Sequence, residues 1–108
     1  MKKIAHALAA TVMACSVTTS FGGTAFETGN SLLKRLSGDP FVDRTFALAY
    51  IAGVADHADV TREVCAQPGV QANQLKEIVL KYLKNHPENR HHPAAELVVN
   101  ALKGAFPC

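Results

Sequence analysis

QLKEIVLKYLKN, residues 74–85, is the stretch of this chain that decides its fold class. Its apolar side chains recur every three or four residues, which is the spacing of one face of an α-helix. The members of this face are Leu75, Ile78, Val79, Tyr82 and Leu83. Glu77 stands four residues before Lys81, an order that further favours a helix. The stretch therefore predicts an amphipathic helix, which ends at His86-Pro87 because a proline disfavours helical backbone in the residue before it.

A second apolar stripe follows after a short connection and predicts another helix. Pro93 suits its first turn, where the missing N–H costs nothing, and Gly104 and Pro107 mark its end. The stripe consists of Leu97, Val98, Ala101, Leu102, Ala105 and Phe106. We expect the two helices to bury six side chains together: Leu75, Val79, Tyr82, Leu97, Val98 and Leu102.

Two more helices are predicted before residue 74. Asp43 is the expected N-cap of a helix that runs to about Asp59, with Gly53 permitting close approach of a neighbouring helix. Its expected inward face consists of Phe46, Tyr50, Val54 and Ala58. A shorter helix over residues 30–36 ends at Ser37-Gly38-Asp39-Pro40. Because strand signals are nearly absent, we predict an all-α fold, a small four-helix bundle-like domain.

The first 25 residues are predicted to be a secretion signal. Lys2 and Lys3 precede an uncharged apolar run, far shorter than the roughly 20 residues of a membrane-spanning helix, and small polar residues follow it. Cleavage after Ala25 would leave a mature domain of residues 26–108 that begins at Phe26. An alternative interpretation makes Cys15 the lipidated first residue of a lipoprotein.

Loss of this leader changes the charge balance and the cysteine count. Residues 26–108 contain nine Lys and Arg residues and nine Asp and Glu residues, so their formal net charge is zero. Such a chain lacks the positive field that attracts nucleic acid. We therefore expect no nucleic-acid partner, and no transmembrane segment. The remaining pair, Cys65 and Cys108, predicts a disulfide in an exported protein, worth roughly 4 kcal/mol in the chain-entropy model. The alternative is a free nucleophilic thiol paired with a histidine.

Two polar clusters could carry chemistry. The first consists of Asp56, Asp59 and Glu63. If a helix continues through residue 63, the three carboxylates lie on one side of it and could serve acid/base or metal chemistry. The other, which raises the question of zinc, consists of His86, His91 and His92. The simpler interpretation of the acidic cluster is a solvated helix end. The simpler interpretation of the three histidines is that they are surface-loop residues, since they lack the spacing of zinc ligands on a stable helix. We predict no catalytic residue, cofactor or metal site, and hence a binding protein rather than an enzyme.

Several short motifs together resemble one known family. They are Thr28-Gly29-Asn30-Ser31-Leu32-Leu33, Tyr50-Ile51-Ala52-Gly53-Val54-Ala55-Asp56, Gln74-Leu75, Lys81-Tyr82-Leu83, His86-Pro87-Glu88, Arg90-His91 and Ala105-Phe106-Pro107-Cys108. On these motifs the chain resembles the Rap/Tai family of type VI secretion immunity proteins, over essentially the whole of residues 26–108. The family pattern has two further cysteines near positions 36 and 47. Leu36 and Ala47 stand there in this chain, so we expect an apolar contact in place of that second bridge.

The resemblance implies a periplasmic, mostly helical homodimer that binds a peptidoglycan-cleaving amidase, blocks its active-site cleft and catalyses nothing itself. A rigid bundle that presents a polar loop loses little entropy on binding, so we expect the connection between the last two helices to dock. Its predicted partner-binding residues are Asn85, His86, Glu88, Asn89, Arg90, His91 and His92. The loop around residues 65–70 is expected to hold the disulfide instead.

Two other functions stay open from the sequence. One is an exported structural or envelope-associated helical module without a toxin partner, lipidated if Cys15 is the first mature residue. The other is a minimal hydrolase that uses the three carboxylates at positions 56, 59 and 63.

Overall fold

The computed structural model describes residues 9–11 and 26–108. The predicted cleavage after Ala25 and lipidation of Cys15 concern positions outside the described residues. Within them lie four helices, α1 (Gly29–Ser37), α2 (Phe41–Val60), α3 (Ala72–Asn85) and α4 (Ala94–Ala105), and one turn of 3-10 helix, Pro87–Asn89, between α3 and α4. No β-strand occurs in the described residues, so the predicted all-α, four-helix architecture is confirmed.

Side chains at the N-terminal ends of α1 and α3 satisfy backbone amides that helix geometry leaves without internal partners. The backbone N–H of Thr28 donates to the Ser31 hydroxyl at 2.9 Å, and the N–H of Ser31 donates to the Thr28 hydroxyl at 3.2 Å. At α3, the N–H of Gln71 donates to the side-chain oxygen of Gln74 at 2.7 Å. These reciprocal caps begin both helices slightly before the predicted residues 30 and 74.

The start of α2 differs from the prediction. Pro40, not Asp43, occupies the N-cap position, and the helix begins at Phe41. A proline is tolerated at a helix start because its absent N–H would have had no partner inside the helix. Asp43 lies in the first turn, where its carboxylate accepts a hydrogen bond from Nη1 of Arg35 at 3.1 Å. This ion pair links the start of α2 to α1.

The inward face of α2 also differs from the predicted one. Its buried members are Ala47, Ile51 and Ala58. Only Ala58 was expected there, whereas Phe46 stays 45% exposed and Tyr50 and Val54 are half-buried. A Cβ built on Gly53 meets nothing within 4 Å, so the close helix approach expected at this glycine is wrong. The reason is that α2 is apolar on nearly every side, and its sequence does not single out one stripe.

One hydrophobic core lies between the helices. Its buried members are Leu32, Leu36, Ala47, Ile51, Ala58, Val64, Val79, Leu83, Ala94, Leu97, Val98, Ala101 and Leu102. Of the six side chains of α3 and α4 predicted to be buried together, four belong to this core and two, Leu75 and Tyr82, pack against its edge. Ala105 is exposed because α4 ends there. Leu36 and Ala47 are both buried in this core.

A disulfide joins Cys65 to Cys108, with the two Cα atoms 4.9 Å apart, and confirms the predicted bridge. The backbone N–H of Cys65 also donates to the carbonyl of Phe106 at 3.0 Å. Val64, the residue before the bridge, is buried in the core. The loop between α2 and α3 is therefore committed to fixing the C-terminal end of the chain, as expected.

Arg62 occupies a backbone conformation that glycine would adopt more easily. Its φ is 62°, in the left-handed region, and its N–H closes the end of α2 by donating to the Asp59 carbonyl at 3.1 Å. Because a Cβ is disfavoured there, we expect Arg62→Gly to raise the free energy of unfolding in urea by about 0.5–1 kcal/mol. The control Lys84→Gly, in the last turn of α3, should lower it by a similar amount. A loss of stability in Arg62→Gly would contradict this account.

Candidate functional site

The α3–α4 loop, residues 85–92, is bonded along its backbone to the start of α1. The N–H of Asn30 donates to the Arg90 carbonyl at 2.8 Å, and the N–H of Gly29 donates to the His92 carbonyl at 3.0 Å. Both donors are amides of the first turn of α1, which have no partner inside that helix. The loop therefore caps α1, and α1 in turn fixes the conformation of the loop.

The residues just before α1 hold the far end of the same loop. The N–H of Ala94 donates to the Glu27 carbonyl at 2.9 Å, and Thr28 and Pro93 form an isolated antiparallel bridge. The Glu27 side chain is buried and accepts a hydrogen bond from Nε of Arg35 at 3.2 Å. A buried carboxylate needs such a partner to offset its lost hydration. Residues 27 and 28 thus tie the start of α4 to α1.

Gly29 makes the close approach of α1 and the loop possible. A Cβ at this position would collide with Cδ1 of Leu97 and lie 2.9 Å from the carbonyl oxygen of Arg90. One of these neighbours is a core side chain and the other is backbone, so neither can move aside without disturbing the fold. The absence of a side chain at Gly29 is therefore a packing requirement.

Within the loop, His86 braces the end of α3. Its ring stacks on that of Tyr82, with the two centroids 4.1 Å apart, and its Nδ1–H donates to the Tyr82 carbonyl at 2.8 Å. The N–H groups of Asn89 and His92 donate to the carbonyls of His86 and Asn89 at 3.1 and 2.9 Å. The loop is thus a series of tight turns rather than a freely mobile connection.

Exposure divides the seven predicted partner-binding residues into two groups. The exposed ones are Asn85, Glu88 and His91, and the half-buried ones are His86, Asn89, Arg90 and His92. Nδ1 of His92 lies 3.5 Å from a carboxylate oxygen of Glu96, and Nε of Arg90 is buried without a hydrogen-bond partner among the described residues. The loop therefore brings the seven residues together between α3 and α4 and leaves three of them open to solvent.

The three carboxylates of the acidic cluster are not assembled into one site. Because α2 ends at Val60, Glu63 does not continue the helical face of Asp56 and Asp59. The two aspartates border a depression beside residues 66–70, whereas Glu63 lines a separate groove between α2 and α4. In the part of the chain that the structure describes, no group of three or more His, Cys, Asp or Glu side chains could hold a metal ion.

The outer side of α2 carries exposed apolar side chains that the sequence pattern does not predict. Large apolar side chains remain exposed there, with Phe41 and Val42 at 72% and Val60 at 81%. An open, mainly apolar groove of about 760 Å³ runs between the middle of α2 and α4. The signal that could have found this surface is the apolar character of α2 on both of its sides.

Phe46 stands at the centre of a small ordered cluster on this surface. Its ring lies 6.3 Å from that of Tyr50, and the Arg35 guanidinium lies 4.3 Å from the Phe46 ring centroid. Arg35 is itself fixed by ion pairs with Glu27 and Asp43. Burial raises the pKa of Tyr50, and the Glu27 carboxylate raises it further, so the phenol stays neutral beside the groove. Phe46 is therefore exposed but held in place.

A family model described as Rap1a immunity proteins matches residues 28–108, a range that includes α1 to α4, the α3–α4 loop and both bridged cysteines. No curated protein matches the chain. Among the described residues, no helix combines the length and the apolar character needed to cross a membrane. The match confirms the family resemblance that the sequence motifs indicate.

Proposed function

The chain belongs to the Rap1a immunity protein family, and from that premise we propose that it neutralises a peptidoglycan-cleaving amidase delivered by type VI secretion. Membership of this family makes the chain an immunity protein. The amidase partner, inhibition in the periplasm, and a mature domain of residues 26–108 released by signal cleavage are parts of our proposal. In this proposal the protein inhibits by binding and carries out no reaction.

The observation that best supports this proposal is the rigid α3–α4 loop. Its backbone is fixed to α1 through the carbonyls of Arg90 and His92, while Asn85, Glu88 and His91 remain exposed. A polar loop that is already ordered loses little conformational entropy when it enters an enzyme cleft. We propose that this loop covers or enters the cleft of the amidase, where its amide, carboxylate and imidazole groups can pair with polar catalytic residues.

The proposal also includes a homodimer as the active form. Two copies would present two α3–α4 loops, so that one dimer could bind two amidase molecules. Several large apolar side chains of α2 are exposed, and their burial between two copies would support self-association.

The primary test uses a papain-like amidase encoded beside the gene of this chain. Binding is measured by calorimetry with protein purified from the periplasm, and inhibition by release of cleaved peptides from peptidoglycan. We expect a stable complex that stops hydrolysis. Failure to bind, or the absence of any such neighbouring gene, would favour the alternative of an exported structural module without a toxin partner.

The role of the loop is tested by the double substitution Glu88→Ala with Arg90→Ala. We expect the dissociation constant for the amidase to rise at least about tenfold, since arginine is among the residues whose truncation at the centre of an interface most often costs more than 1 kcal/mol. The matched control, Glu77→Ala with Lys81→Ala, removes one acid and one base from the outer side of α3 and should leave binding unchanged. Thermal unfolding of both variants is recorded in parallel.

The outcomes separate docking from folding. Weakened binding with an unchanged melting temperature would support a docking loop, and wild-type affinity would remove the loop from the interface. Because Nε of Arg90 is buried, a drop in melting temperature would assign that side chain to the fold. In that case Glu88→Ala with His91→Ala, which changes only exposed side chains, repeats the test.

A further inference from the structure

The groove between α2 and α4 has the size of a small-ligand site. Its volume is about 760 Å³, and pockets that bind small molecules commonly measure roughly 300–1,000 Å³. None of residues 85–92 lines it, so the groove is separate from the proposed docking loop. The C-terminal ends of its two helices lie together, because Cys65, shortly after α2, donates to the carbonyl of Phe106 at the end of α4. The two helices therefore run in the same direction along the groove.

The α2 wall of the groove has almost no side chains. Ala49 and Gly53 stand one helical turn apart on it, both exposed, and a Cβ built on Gly53 meets nothing within 4 Å. Val54 of α2 and Val99 of α4 are half-buried in the groove and supply apolar surface. A ligand can thus lie close to the α2 backbone and bury its own apolar groups against the two valines.

The α4 wall carries opposite charges at its two ends. Glu96 lies in the first turn of α4 and Lys103 in the last, and both line the groove. Seven residues separate them, which corresponds to about 10 Å along a helix. His57 also lines the groove, and among the described residues neither it nor Lys103 has an ion-pair partner. The acidic group on the α2 side is Glu63, whose carboxylate accepts a hydrogen bond from the Thr61 hydroxyl at 3.5 Å.

We propose that this groove binds a short apolar peptide with free amino and carboxyl ends. The ammonium group lies beside Glu96, and the carboxylate lies beside Lys103 and His57. An extended peptide spans about 3.3–3.6 Å per residue, so three residues match the separation of about 10 Å between the two ends. Asn100 lies between Glu96 and Lys103, and its amide can both donate to and accept from the peptide backbone. This second binding site goes beyond the proposed inhibition of an amidase and does not depend on it.

The size of the groove favours a free peptide over a folded partner. A standard protein interface buries roughly 800 Å² on each partner, a larger surface than about two turns of each groove helix provide. The charges on the α4 wall set the expected specificity. Because they are exposed, each contributes modestly to affinity, and apolar contact supplies the rest.

The test titrates the tripeptide alanyl-leucyl-alanine into isotope-labelled protein purified from the periplasm and follows the backbone amides by NMR. We expect a dissociation constant below about 1 mM, with the shifts confined to residues that line the groove. The same peptide, acetylated at its amino end and amidated at its carboxyl end, is the control ligand. Its dissociation constant should be about three- to tenfold higher, because both terminal charges are gone.

Three variants locate the peptide. Gly53→Leu places a side chain in the groove and should raise the dissociation constant at least about tenfold. Its control is Gly104→Leu, an equally open helical glycine outside the groove. Lys103→Gln should raise the constant about threefold, whereas Lys84→Gln, also in the last turn of a helix, should not change it. Glu63→Gln should lower the constant, because it removes the negative charge that faces the peptide carboxylate.

The outcomes that would overturn the inference are specific. They are the absence of peptide binding, equal affinity for the blocked peptide, unchanged binding by Gly53→Leu, and an equal loss in Gly104→Leu. A peptide affinity that falls as the protein concentration rises would give the groove to a second copy of the chain. Loss of amidase binding in Gly53→Leu, in a protein that binds no peptide, would give it to the effector. Either result would also overturn the peptide site.

Discussion

Replacing Leu97 by alanine is expected to lower the free energy of unfolding by about 2–5 kcal/mol, a large part of the stability of a domain of this size. Leu97 is 2% exposed, on the face of α4 that packs into the core. Its Cδ1 atom also fills the space above Gly29, where no side chain can stand in for it. The truncation therefore leaves a cavity that can close only if α1 moves towards α4.

The same change should also loosen the α3–α4 loop. Gly29 donates to the His92 carbonyl, so movement of α1 into the cavity would disturb the hydrogen bonds that fix the loop. Urea unfolding gives the stability, and hydrogen exchange of the Gly29 and Asn30 amides reports on the loop. Leu80→Ala, at a half-buried position of α3, is the control and should cost clearly less. Equal losses of unfolding free energy in the two variants would mean that Leu97 contributes no more to stability than the half-buried Leu80.

Removing the bridge with Cys65→Ser and Cys108→Ser together is expected to lower the free energy of unfolding by up to about 4 kcal/mol. The bridge closes a sequence separation of 43 residues and ties the C-terminal end of the chain to the loop between α2 and α3. Without it, the unfolded chain gains conformational freedom, and the C-terminal end of the folded chain is held by the hydrogen bond between residue 65 and Phe106 and by packing of Phe106 against the core. The double substitution avoids leaving one reactive thiol that could form dimers.

The redox state of the natural chain is measured by thiol titration under denaturing, non-reducing conditions on protein taken directly from the periplasm. We expect no free thiol, and a mass that corresponds to residues 26–108 with one bridge. One reactive thiol would mean that Cys15 is retained, and a lipid mass would indicate the lipoprotein alternative. Two reactive thiols in processed protein would contradict the bridge.

The sequence predicts most of the fold because its strongest signals are local. In α3 and α4 the apolar residues recur at helical spacing and the polar residues lie on the opposite side. Each helix therefore has a single apolar face, and that face is buried in the structure. The bridge from Cys65 to Cys108 is predictable for a different reason, because once the predicted leader with Cys15 is set aside, two cysteines remain and they have only one pairing. The family motifs, which span the whole domain, are confirmed by the match over residues 28–108.

The candidate site is less predictable. The sequence places the seven polar residues of the α3–α4 loop together, because they are neighbours in the chain. It does not distinguish the outward Glu88 and His91 from His86, whose ring is bound to Tyr82, because that difference arises from contacts with α3. The three carboxylates at positions 56, 59 and 63 do not form one site for a similar reason. The left-handed turn at Arg62 ends α2, so Glu63 does not lie on the same helical face as Asp59.

By itself, the sequence determined that this chain forms four helices, that a disulfide joins Cys65 to Cys108 and which family the chain belongs to, because each of these depends on residue spacing or on a count. Only the tertiary structure decided which side of α2 enters the core. That helix carries apolar residues on nearly every side, so burial of Ala47 and Ile51 rather than Phe46 depends on how α1, α3 and α4 pack against it. Likewise, the rigidity of the α3–α4 loop comes from hydrogen bonds to Gly29 and Asn30, about sixty residues away in the chain. Local periodicity carries no information about such distant partners, since it records which side chains can be buried but not what buries them.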